Sequence, residues 1–340
     1  MVNSKPTTRV TIRDVAKAAD VSAVTVSHVL KGRTHKSSPQ TCERVLRIAR
    51  EMNYIPVAQP STQQRLAETR IIGLVFDAMD WDSYWGMQTF RGMRDGAQEL
   101  GYDLLTILRP AVAWSPAQED LRLLDRRSDG LIFVLPINRE GTFAALAQHH
   151  IPVAACYFEA QAPNVTCVTV DNHGALRAAV ELAIANGHRD LLFLGVHTQR
   201  SDFRRRHEGY IAGCGVHGIE PRALLVHNEE ELKSVLLPQL QALRTTAILC
   251  AADSLAFATW NILDGHGWRV PRDISLVGMD DLPEAAERGL TTVRISGAEV
   301  GQQAVHAVVS LIQNTPFTGT TTSFQVVHRT SMGPPPPRPH

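Results

Sequence analysis

The fold of the N-terminal part of the chain is decided by residues 11–32, which read TIRDVAKAADVSAVTVSHVLKG. Thr11, followed three residues later by Asp14, forms a capping box, in which the hydroxyl and the carboxylate each accept a hydrogen bond from a backbone N–H at a helix start. The apolar residues that recur at the spacing of one helical face are Ile12, Val15, Ala16 and Ala19. Asp20 then predicts a tight turn, and Ser22 is placed to cap a second helix.

The second helix leaves a short outward face once its apolar side chains turn inward. That face consists of Ala23, Val24, Thr25, Ser27 and His28. A helix that starts at a sharp turn suits the major groove of duplex DNA, where its N-terminal residues meet base edges. Taken singly, each of these residues is typical of a solvated helix surface, and helix–turn–helix pairs also occur in proteins that bind no DNA. Their order on a basic segment favours the DNA interpretation.

The charge distribution separates this head from the rest of the chain. Residues 1–60 carry ten basic and four acidic residues, a formal charge of +6, whereas the whole chain has 34 of each. The remainder is therefore acidic by the same amount. A basic head on an acidic body is the electrostatic pattern of a phosphate-binding module attached to another domain.

A third helix completes the head. Ser38 is placed to cap it, and Pro39 occupies the first helical position, where proline is tolerated. Its predicted buried side consists of Val45, Leu46, Ile48, Ala49 and Met52. Three helices over about fifty residues bury little surface, so this core is marginal by itself.

The body of the chain alternates between strand and helix patterns. Ile71–Phe76 is a short apolar run that suits a strand buried on both faces. Further strands are predicted at 103–108, 130–135, 152–156, 168–170, 190–194, 246–250 and 274–277. Helices are predicted at 84–100, 119–126, 142–149, 174–186, 203–213, 254–265 and 300–313. This alternation predicts parallel βαβ units, and the length favours two α/β lobes with a ligand cleft beyond the carboxyl ends of the strands.

These residues carry a resemblance to the lactose/galactose repressor (LacI-type) family of bacterial transcription regulators. The matching pieces of the head are Thr11-Ile-Arg-Asp-Val-Ala, Val21-Ser22, Thr25-Val26-Ser27, Val29-Leu30, Ser38-Pro39-x-Thr41 and Asn53-Tyr54-x-Pro56. Those of the body are Arg91-Gly92, Gly101-Tyr102, Val170-Asp171-Asn172, Gly187-His188-Arg189, Gly209-Tyr210, the run from Val270 to Asp281 and Leu290-Thr-Thr-Val293. The resemblance implies an α/β protein with an N-terminal three-helix helix–turn–helix headpiece and a bilobed, periplasmic-binding-protein-like core of two parallel α/β subdomains.

The resemblance also implies the domain limits. The headpiece is expected at residues 9–56, a linker or hinge at 57–70 and the effector-binding and dimerisation core at 71–332. Lobe 1 is expected at about 71–170 and 295–321, and lobe 2 at about 171–294 and 322–332. The Pro-rich residues 333–340 are expected to be an extended, disordered tail.

The DNA-binding residues expected from the pattern and the resemblance are Thr11, Ser22, Ala23, Val24, Thr25, Ser27, His28, Lys31, Ser38, Thr41 and Tyr54. Three positions depart from the family. Asp20 replaces a turn glycine, which is acceptable because Asp tolerates left-handed backbone. His28 replaces an arginine and Lys31 an asparagine, so the operator sequence does not follow from the family.

The linker departs most from the family, whose hinge helix inserts a leucine into the DNA minor groove and kinks the duplex. The aligned position here is Gln63, and Pro60 falls within the would-be helix, where an interior proline would break it. Leu66 is a shifted alternative to the wedge or an ordinary packing residue. We expect this protein to bend its site less than its relatives do.

Candidate effector residues follow from chemistry and from the resemblance. Asp280 directly follows a predicted strand, and a carboxylate there accepts hydrogen bonds from vicinal hydroxyls. Arg206 lies near a helix start, where its planar guanidinium can hold two oxygens. Asp253 matches an acidic residue of the family's cleft. The alternatives are a helix cap for Asp280 and an internal ion pair for Arg206.

Aromatic residues fill two of the predicted cleft loops. Trp81, Tyr84 and Trp85 lie in the first strand-to-helix loop, and Tyr157 and Phe158 in the third. Flat rings in a cleft loop can stack on the apolar face of a sugar, although such rings more often cap a core. The expected effector is a sugar or glycoside, with a purine or another planar metabolite as the alternative.

The sequence gives little support for catalysis. It contains no Gly-x-Ser-x-Gly, His-Glu-x-x-His or P-loop pattern, and its five cysteines show no Cys-x-x-Cys spacing. We therefore expect no enzyme activity, no cofactor and no metal. The scattered cysteines fit a reducing cytoplasm, and the N-terminus lacks an apolar secretory segment, so a bacterial, nucleoid-associated location is expected. The competing interpretations are a transport-type sugar receptor and a sugar-processing enzyme on the same bilobed core.

The expected function is that of a sequence-specific transcriptional regulator, in particular a repressor. Two headpieces on one body gain effective concentration on a two-part site, so a homodimer on a near-palindromic operator in double-stranded DNA is expected. The small-molecule effector is expected to close the cleft and to change the headpiece spacing. Its effect on DNA affinity equals its differential affinity for the two lobe arrangements.

Overall fold

The headpiece consists of three short helices. The structure is a computed structural model, and it describes residues 10–30, 37–52, 54, 68–76, 83–107, 123–136, 139–159, 165–198, 200–317 and 321–337. The helices are α1 (Ile12–Ala18), α2 (Ala23–Leu30) and α3 (Pro39–Glu51). They enclose a core centred on Val15, Val26, Val29, Val45 and Ala49.

Each headpiece helix begins with a hydroxyl cap, as the sequence predicts. The capping box is present, because Asp14 N donates to the Thr11 hydroxyl at 3.4 Å and Thr11 N donates to the Asp14 carboxylate at 2.7 Å. Ser22 and Ser38 accept hydrogen bonds from the backbone N–H three residues further on, at 3.0 and 3.2 Å. Asp20 has φ of 51°, so it does adopt the left-handed conformation that this turn requires.

The first lobe, called lobe 1 here, is built on a six-stranded parallel sheet in the order β11-β5-β4-β3-β1-β2. Its strands are β1 (Ile71–Phe76), β2 (Asp103–Ile107), β3 (Gly130–Val134), β4 (Val153–Cys156), β5 (Val165–Val170) and β11 (Thr321–Thr322). Its helices are α4 (Tyr84–Leu100), α5 (Glu140–Gln148) and α11 (Gly297–Ile312). The central strand β3 is buried along its whole length, which explains its continuous apolar sequence.

Lobe 2 repeats this plan with the order β12-β10-β9-β8-β6-β7. Its strands are β6 (Leu191–Val196), β7 (Ala223–Val226), β8 (Ala247–Cys250), β9 (Ser275–Asp280), β10 (Thr291–Ile295) and β12 (Phe324–Val327). Its helices are α6 (Asn172–Ala185), α7 (Ser201–Val216), α8 (Glu229–Leu243), α9 (Asp253–Gly265) and α10 (Pro283–Arg288). All neighbouring strands are parallel except β10 and β12, which pair antiparallel.

A pair of helices in each lobe packs backbone to backbone through glycine. In lobe 1, a methyl group at Gly92 of α4 would overlap the Ala298 carbonyl oxygen of α11. In lobe 2, a methyl group at Gly209 of α7 would overlap the His173 carbonyl oxygen of α6. These close contacts explain why Gly92 and Gly209, which were identified in the sequence only by resemblance, have no side chain.

The chain passes between the two sheets three times. It leaves lobe 1 after β5, returns after β10 to form α11 and β11, and leaves again for β12. The headpiece side of the chain enters lobe 1 through β1. No helix among the described residues is long and apolar enough to cross a membrane.

Several predicted elements differ from the structure. The sequence pattern did not predict β7, α8, α10, β10, β11 or β12. Of the helix predicted at 119–126, residues 119–122 lie outside the described residues. The expectation of a mobile tail does not hold at Gly333, whose N–H donates to the Ser275 hydroxyl at 3.1 Å and whose carbonyl accepts from His188 Nε2 at 2.8 Å.

Candidate functional site

The outward face of α2 is open at its N-terminal end. Val24 is 63 % exposed, whereas Val26 and Val29 are buried in the headpiece core. The Ser22 and Thr25 hydroxyls lie 2.9 Å apart, so the first turn of α2 presents two polar groups beside an exposed apolar side chain. This combination can contact base edges and thymine methyl groups in a major groove.

The central cavity of the core lies between the two lobes and has a volume of about 240 Å³. Lobe 1 supplies Trp85 and Tyr157 to its aromatic wall, and lobe 2 supplies all four of its charged side chains. The lining residues are Ser83, Trp85, Leu135, Tyr157, Val170, Asn172, Arg200, Asp202, Phe203, Arg206, Ala252, Ser254, Asp280 and Ile295.

Arg206 is the most extensively bonded of these residues. Its guanidinium donates from Nε to the Asn172 side-chain oxygen at 2.8 Å and from Nη1 to the Ala251 carbonyl at 2.6 Å. Nη2 lies 3.4 Å from the Asp280 carboxylate. The buried charge is therefore paired and hydrogen-bonded, as a buried cation must be. Arg206 lines the cavity and also forms the internal ion pair that the sequence analysis gave as its alternative role.

Asp280 ends β9 and faces the cavity with an unusual backbone. Its φ is 124° and that of Asp281 is 57°, and such conformations in non-glycine residues cluster at functional sites. Burial raises the pKa of Asp280 to about 7, because desolvation outweighs the stabilising charge of Arg206. The nearby carboxylates of Asp253 and Asp202 raise this pKa further.

A second ion pair lies beside the first. Arg200 donates to both carboxylate oxygens of Asp202, at 3.1 and 2.5 Å, and this bidentate geometry neutralises both groups. The guanidinium carbons of Arg200 and Arg206 lie 4.8 and 5.2 Å from the centre of the Phe203 ring. The polar wall of the cavity thus carries two arginines against two aspartates.

The aromatic wall is fixed within lobe 1. The rings of Trp85 and Tyr157 are 6.0 Å apart and inclined at 48°. The Tyr157 and Thr89 hydroxyls lie 2.8 Å apart, and Thr89 also donates to the Trp85 carbonyl at 3.0 Å. Burial raises the pKa of Tyr157 well above its usual value, so this hydroxyl remains protonated.

Residues 11–57 match the family described as bacterial regulatory proteins, lacI family, and residues 180–332 match the periplasmic binding protein-like domain. The lac repressor dimer bound to operator and the anti-inducer ONPF is similar in structure, with a TM-score of 0.69 and 25 % identity over 96 % of this chain and all of that one. The chain is therefore similar to lacI-family regulators in both its headpiece and its core.

Curated lacI-type relatives cover most of the chain. The ribose operon repressor of Haemophilus influenzae is 26 % identical over 89 % of this chain and 92 % of its own length. The repressor PurR of Escherichia coli is 27 % identical over 89 % of this chain and 91 % of its own length. The complex of the regulator CelR with cellobiose, at 22 % identity and a TM-score of 0.67 over 95 % of this chain and all of that one, shares the fold.

The central cavity brings together four of the predicted effector residues: Trp85, Tyr157, Arg206 and Asp280. Two others lie elsewhere. Tyr84 is exposed on α4. Phe158 packs edge-on against Phe143 at 5.6 Å inside lobe 1. Trp81 lies outside the described residues.

Asp253, which was predicted to bind the effector, does not reach the cavity either. It is fully buried beneath the cavity, where it accepts hydrogen bonds from Leu282 N at 2.8 Å and from the Thr292 hydroxyl at 2.6 Å. Burial raises the pKa of this carboxyl, and the two hydrogen bonds lower it in part. Asp253 therefore holds β10 and the loop after β9 together and does not line the cavity.

The predicted DNA-binding set of the lacI-type headpiece divides in a similar way. The residues on the first turns of α2 and α3, Ser22, Ala23, Val24, Thr25, Ser38 and Thr41, are partly or fully exposed, as are Thr11, Ser27 and His28. Tyr54 is buried in the headpiece core, so most of its ring contributes to packing and does not face DNA. Lys31 and the linker positions Pro60, Gln63 and Leu66 lie outside the described residues.

The sequence analysis missed several cavity residues, chiefly Asn172, Arg200, Asp202, Phe203 and Ser254. One signal could have found Asn172, because it lies two residues after the carboxyl end of β5. Arg200 and Asp202 stand at the start of α7, after β6, and the same rule points to them. Within the described ranges, no group of three or more His, Cys, Asp or Glu side chains could hold a metal ion.

Proposed function

We propose that this protein is a DNA-binding repressor that takes an uncharged sugar as its effector in the central cavity. The observation that carries the proposal is that both cavity arginines already have protein partners for their N–H donors. Arg200 is bound bidentately by Asp202, while Arg206 is shared among Asn172, the Ala251 carbonyl and Asp280. An anionic ligand would have to displace one of these buried pairs, at the cost of leaving an unpaired carboxylate.

The remaining surface fits hydroxyl groups and one ring. One carboxyl oxygen of Asp280 lies beside Arg206, and the other can accept a hydrogen bond from a ligand hydroxyl. The Ser83 and Ser254 side chains add hydroxyls of their own. Trp85 offers a face on which the apolar side of a sugar can stack. The curated relative from Haemophilus influenzae, a ribose operon repressor, supports a sugar as the ligand class.

A matched pair of ligands tests this proposal. We expect D-ribose or another neutral monosaccharide in a thermal-shift panel to raise the melting temperature, because a ligand that binds only the folded state stabilises it. The 5- or 6-phosphate of the same sugar should bind at least tenfold more weakly. Preferential binding of the phosphorylated form would overturn the charge argument. A nucleobase as the best ligand would favour the planar alternative, which the rings of Trp85 and Phe203 also accommodate.

The DNA-binding face is proposed to be the first turn of α2, with Val24, Thr25 and Ser27 nearest the bases. The similar lac repressor structure is a dimer on operator DNA, and this supports a homodimer on a near-palindromic site here. Selection from a randomised duplex pool should return a two-part site whose affinity falls steeply with salt. Replacing Thr25 by alanine should weaken specific binding and leave binding to unrelated duplex unchanged.

The proposed domain limits follow the same organisation: a headpiece at 9–56, a linker at 57–70 and a core at 71–332 that contains both lobes. We place the protein in the bacterial cytoplasm, where the operator is. We assign it no catalytic step. Asp281, the neighbour of Asp280, is bound by Arg294 at 2.6 Å and Arg329 at 2.7 Å, so the two carboxylates do not form an acid–base pair across the cavity.

A further inference from the structure

An ion pair joins the two lobes beside the central cavity. Arg205 Nε donates to the Glu159 carboxylate at 2.6 Å. Glu159 follows β4 in lobe 1, whereas Arg205 lies in the second turn of α7 in lobe 2. Each of the other ion pairs given for the described part of the chain stays within one lobe, within the headpiece or within the linker.

The chain neighbours of this pair line the cavity. Tyr157, two residues before Glu159, belongs to the aromatic wall, and Arg206, which follows Arg205, belongs to the charged wall. The two walls come from different lobes, so the ion pair lies at the rim where the lobes meet. Its side chains are 27 % and 44 % exposed, whereas Tyr157 and Arg206 are buried.

We propose that Glu159 and Arg205 form a latch that holds the lobes closed over a bound effector and thereby sets the effector's affinity without contacting it. The part of this inference that concerns the effector rests on the proposed function. An ion pair between lobes forms only when the lobes are close, so it stabilises the closed arrangement alone. A ligand that touches both lobes favours the same arrangement, so the latch and the ligand act on one equilibrium.

The size of the effect follows from the exposure of the pair. Partly exposed ion pairs shift an equilibrium by about two- to fivefold and are weakened by salt. Arg205 also lies 3.0 Å from Glu208 on its own helix, and that contact does not depend on lobe closure. The interlobe part of its role must therefore be separated from the helix contact by a matched control.

Arg204 provides that control. It is the exposed neighbour of Arg205 and also pairs with Glu208, at 3.6 Å, but no interlobe partner is described for it. Arg204→Glu and Arg205→Glu thus introduce the same charge on the same helix and disturb the same acidic neighbour. Only Arg205→Glu breaks the latch. The charge swap Glu159→Arg with Arg205→Glu restores an interlobe pair of opposite polarity.

The test needs no ligand. A cysteine introduced by Ile295→Cys, at a buried position in the cavity wall, becomes accessible to a bulky thiol reagent when the lobes separate. The reagent is 5,5′-dithiobis(2-nitrobenzoate). The labelling rate of the introduced cysteine is obtained by subtracting the rate of the parent chain, which carries only the native cysteines. We expect Arg205→Glu and Glu159→Arg to raise the rate about two- to fivefold, Arg204→Glu to leave it unchanged, and the charge swap to restore it.

Salt provides a second measurement on a chain with both latch residues intact. In the Ile295→Cys background, about 0.5 M NaCl should raise the labelling rate when Glu159 and Arg205 are present and should have little effect with Arg205→Glu. Equal rates for Arg204→Glu and Arg205→Glu, or a charge swap that fails to restore the slow rate, would overturn the latch. If D-ribose binds, its affinity should fall about two- to fivefold in Arg205→Glu. Failure of D-ribose to bind would count against the proposed effector class and not against the latch.

Discussion

Replacing Asp280 by asparagine should make the protein less sensitive to alkaline pH. Burial raises the pKa of this carboxyl from 3.8 in the unfolded chain to about 7 in the folded one. Between these values the unfolded state is ionised and the folded state holds a proton, so each pH unit costs the native protein about 1.4 kcal/mol. Above pH 7 both states are ionised and the cost no longer grows.

Over pH 5–8 the wild-type protein should therefore lose about 2–3 kcal/mol of stability relative to Asp280→Asn. The side chain is 19 % exposed, so retained hydration places the expected value near the lower end. For a chain of this size the difference corresponds to about 3–4 °C in melting temperature. Arg206 keeps its bonds to Asn172 and to the Ala251 carbonyl in the variant, so its charge stays hydrogen-bonded.

Thermal melts followed by circular dichroism at pH 5, 6, 7 and 8 measure this difference directly. Histidines titrate in the same range, but they do so in both proteins and cancel in the comparison. Asp95→Asn, the same exchange at an exposed surface position, is the control and should follow the wild-type curve. Parallel curves for Asp280→Asn and wild type would refute the argument that burial holds a proton on this carboxyl.

Three further predictions concern packing, the ligand and the headpiece. Gly209→Ala should destabilise lobe 2 by more than about 2 kcal/mol in denaturant melts, because its methyl group would overlap a backbone carbonyl oxygen. The control Gly215→Ala, in open space on the same helix, should stabilise lobe 2 by up to about 1 kcal/mol. Similar changes in stability for both variants would contradict the helix packing. Trp85→Ala should weaken sugar binding by about tenfold in calorimetry, whereas Tyr84→Ala, at a position outside the cavity, should leave the affinity unchanged. An equal loss of affinity in both variants would show that Trp85 does not contact the sugar. Ser22→Ala should remove the N-terminal cap of α2 and destabilise the headpiece by about 1 kcal/mol. The loss should appear as faster amide hydrogen exchange in the headpiece. Unchanged exchange would show that the headpiece does not depend on this cap.

The sequence predicted the elements that depend on interactions between residues close together in the chain. The capping box at Thr11, the caps at Ser22 and Ser38 and the left-handed turn at Asp20 depend on residues a few positions apart, and the structure has all four. The apolar runs of the inner strands were equally visible. The edge strand β7 and helix α8 were not, because β7 is short and mostly exposed or half-buried, and α8 contains Pro238, which disfavours a helix prediction.

The candidate site was harder to predict because it depends on side-chain direction. Tyr157 and Phe158 both follow β4, and Tyr157 adopts a left-handed backbone with φ of 56°, which the sequence pattern does not reveal. Only Tyr157 lines the cavity. Tyr84 and Trp85 are separated by one helical position and diverge because successive side chains of a helix point in different directions. Asp253 follows β8 and Asp280 ends β9, and the positive φ of Asp280 is a feature that the sequence pattern does not reveal.

The three passages between the sheets also bear on how the chain is made. During synthesis from the N-terminus, β1 to β5 emerge long before α11 and β11, which complete the same lobe, and β12 is the last strand of the other. Neither lobe is complete until residues 297–327 have been synthesised, so a nascent chain carries both lobes unfinished for most of the translation of the core. A ribosome stalled near codon 290 would therefore hold two unfinished lobes, and both would be substrates for chaperones.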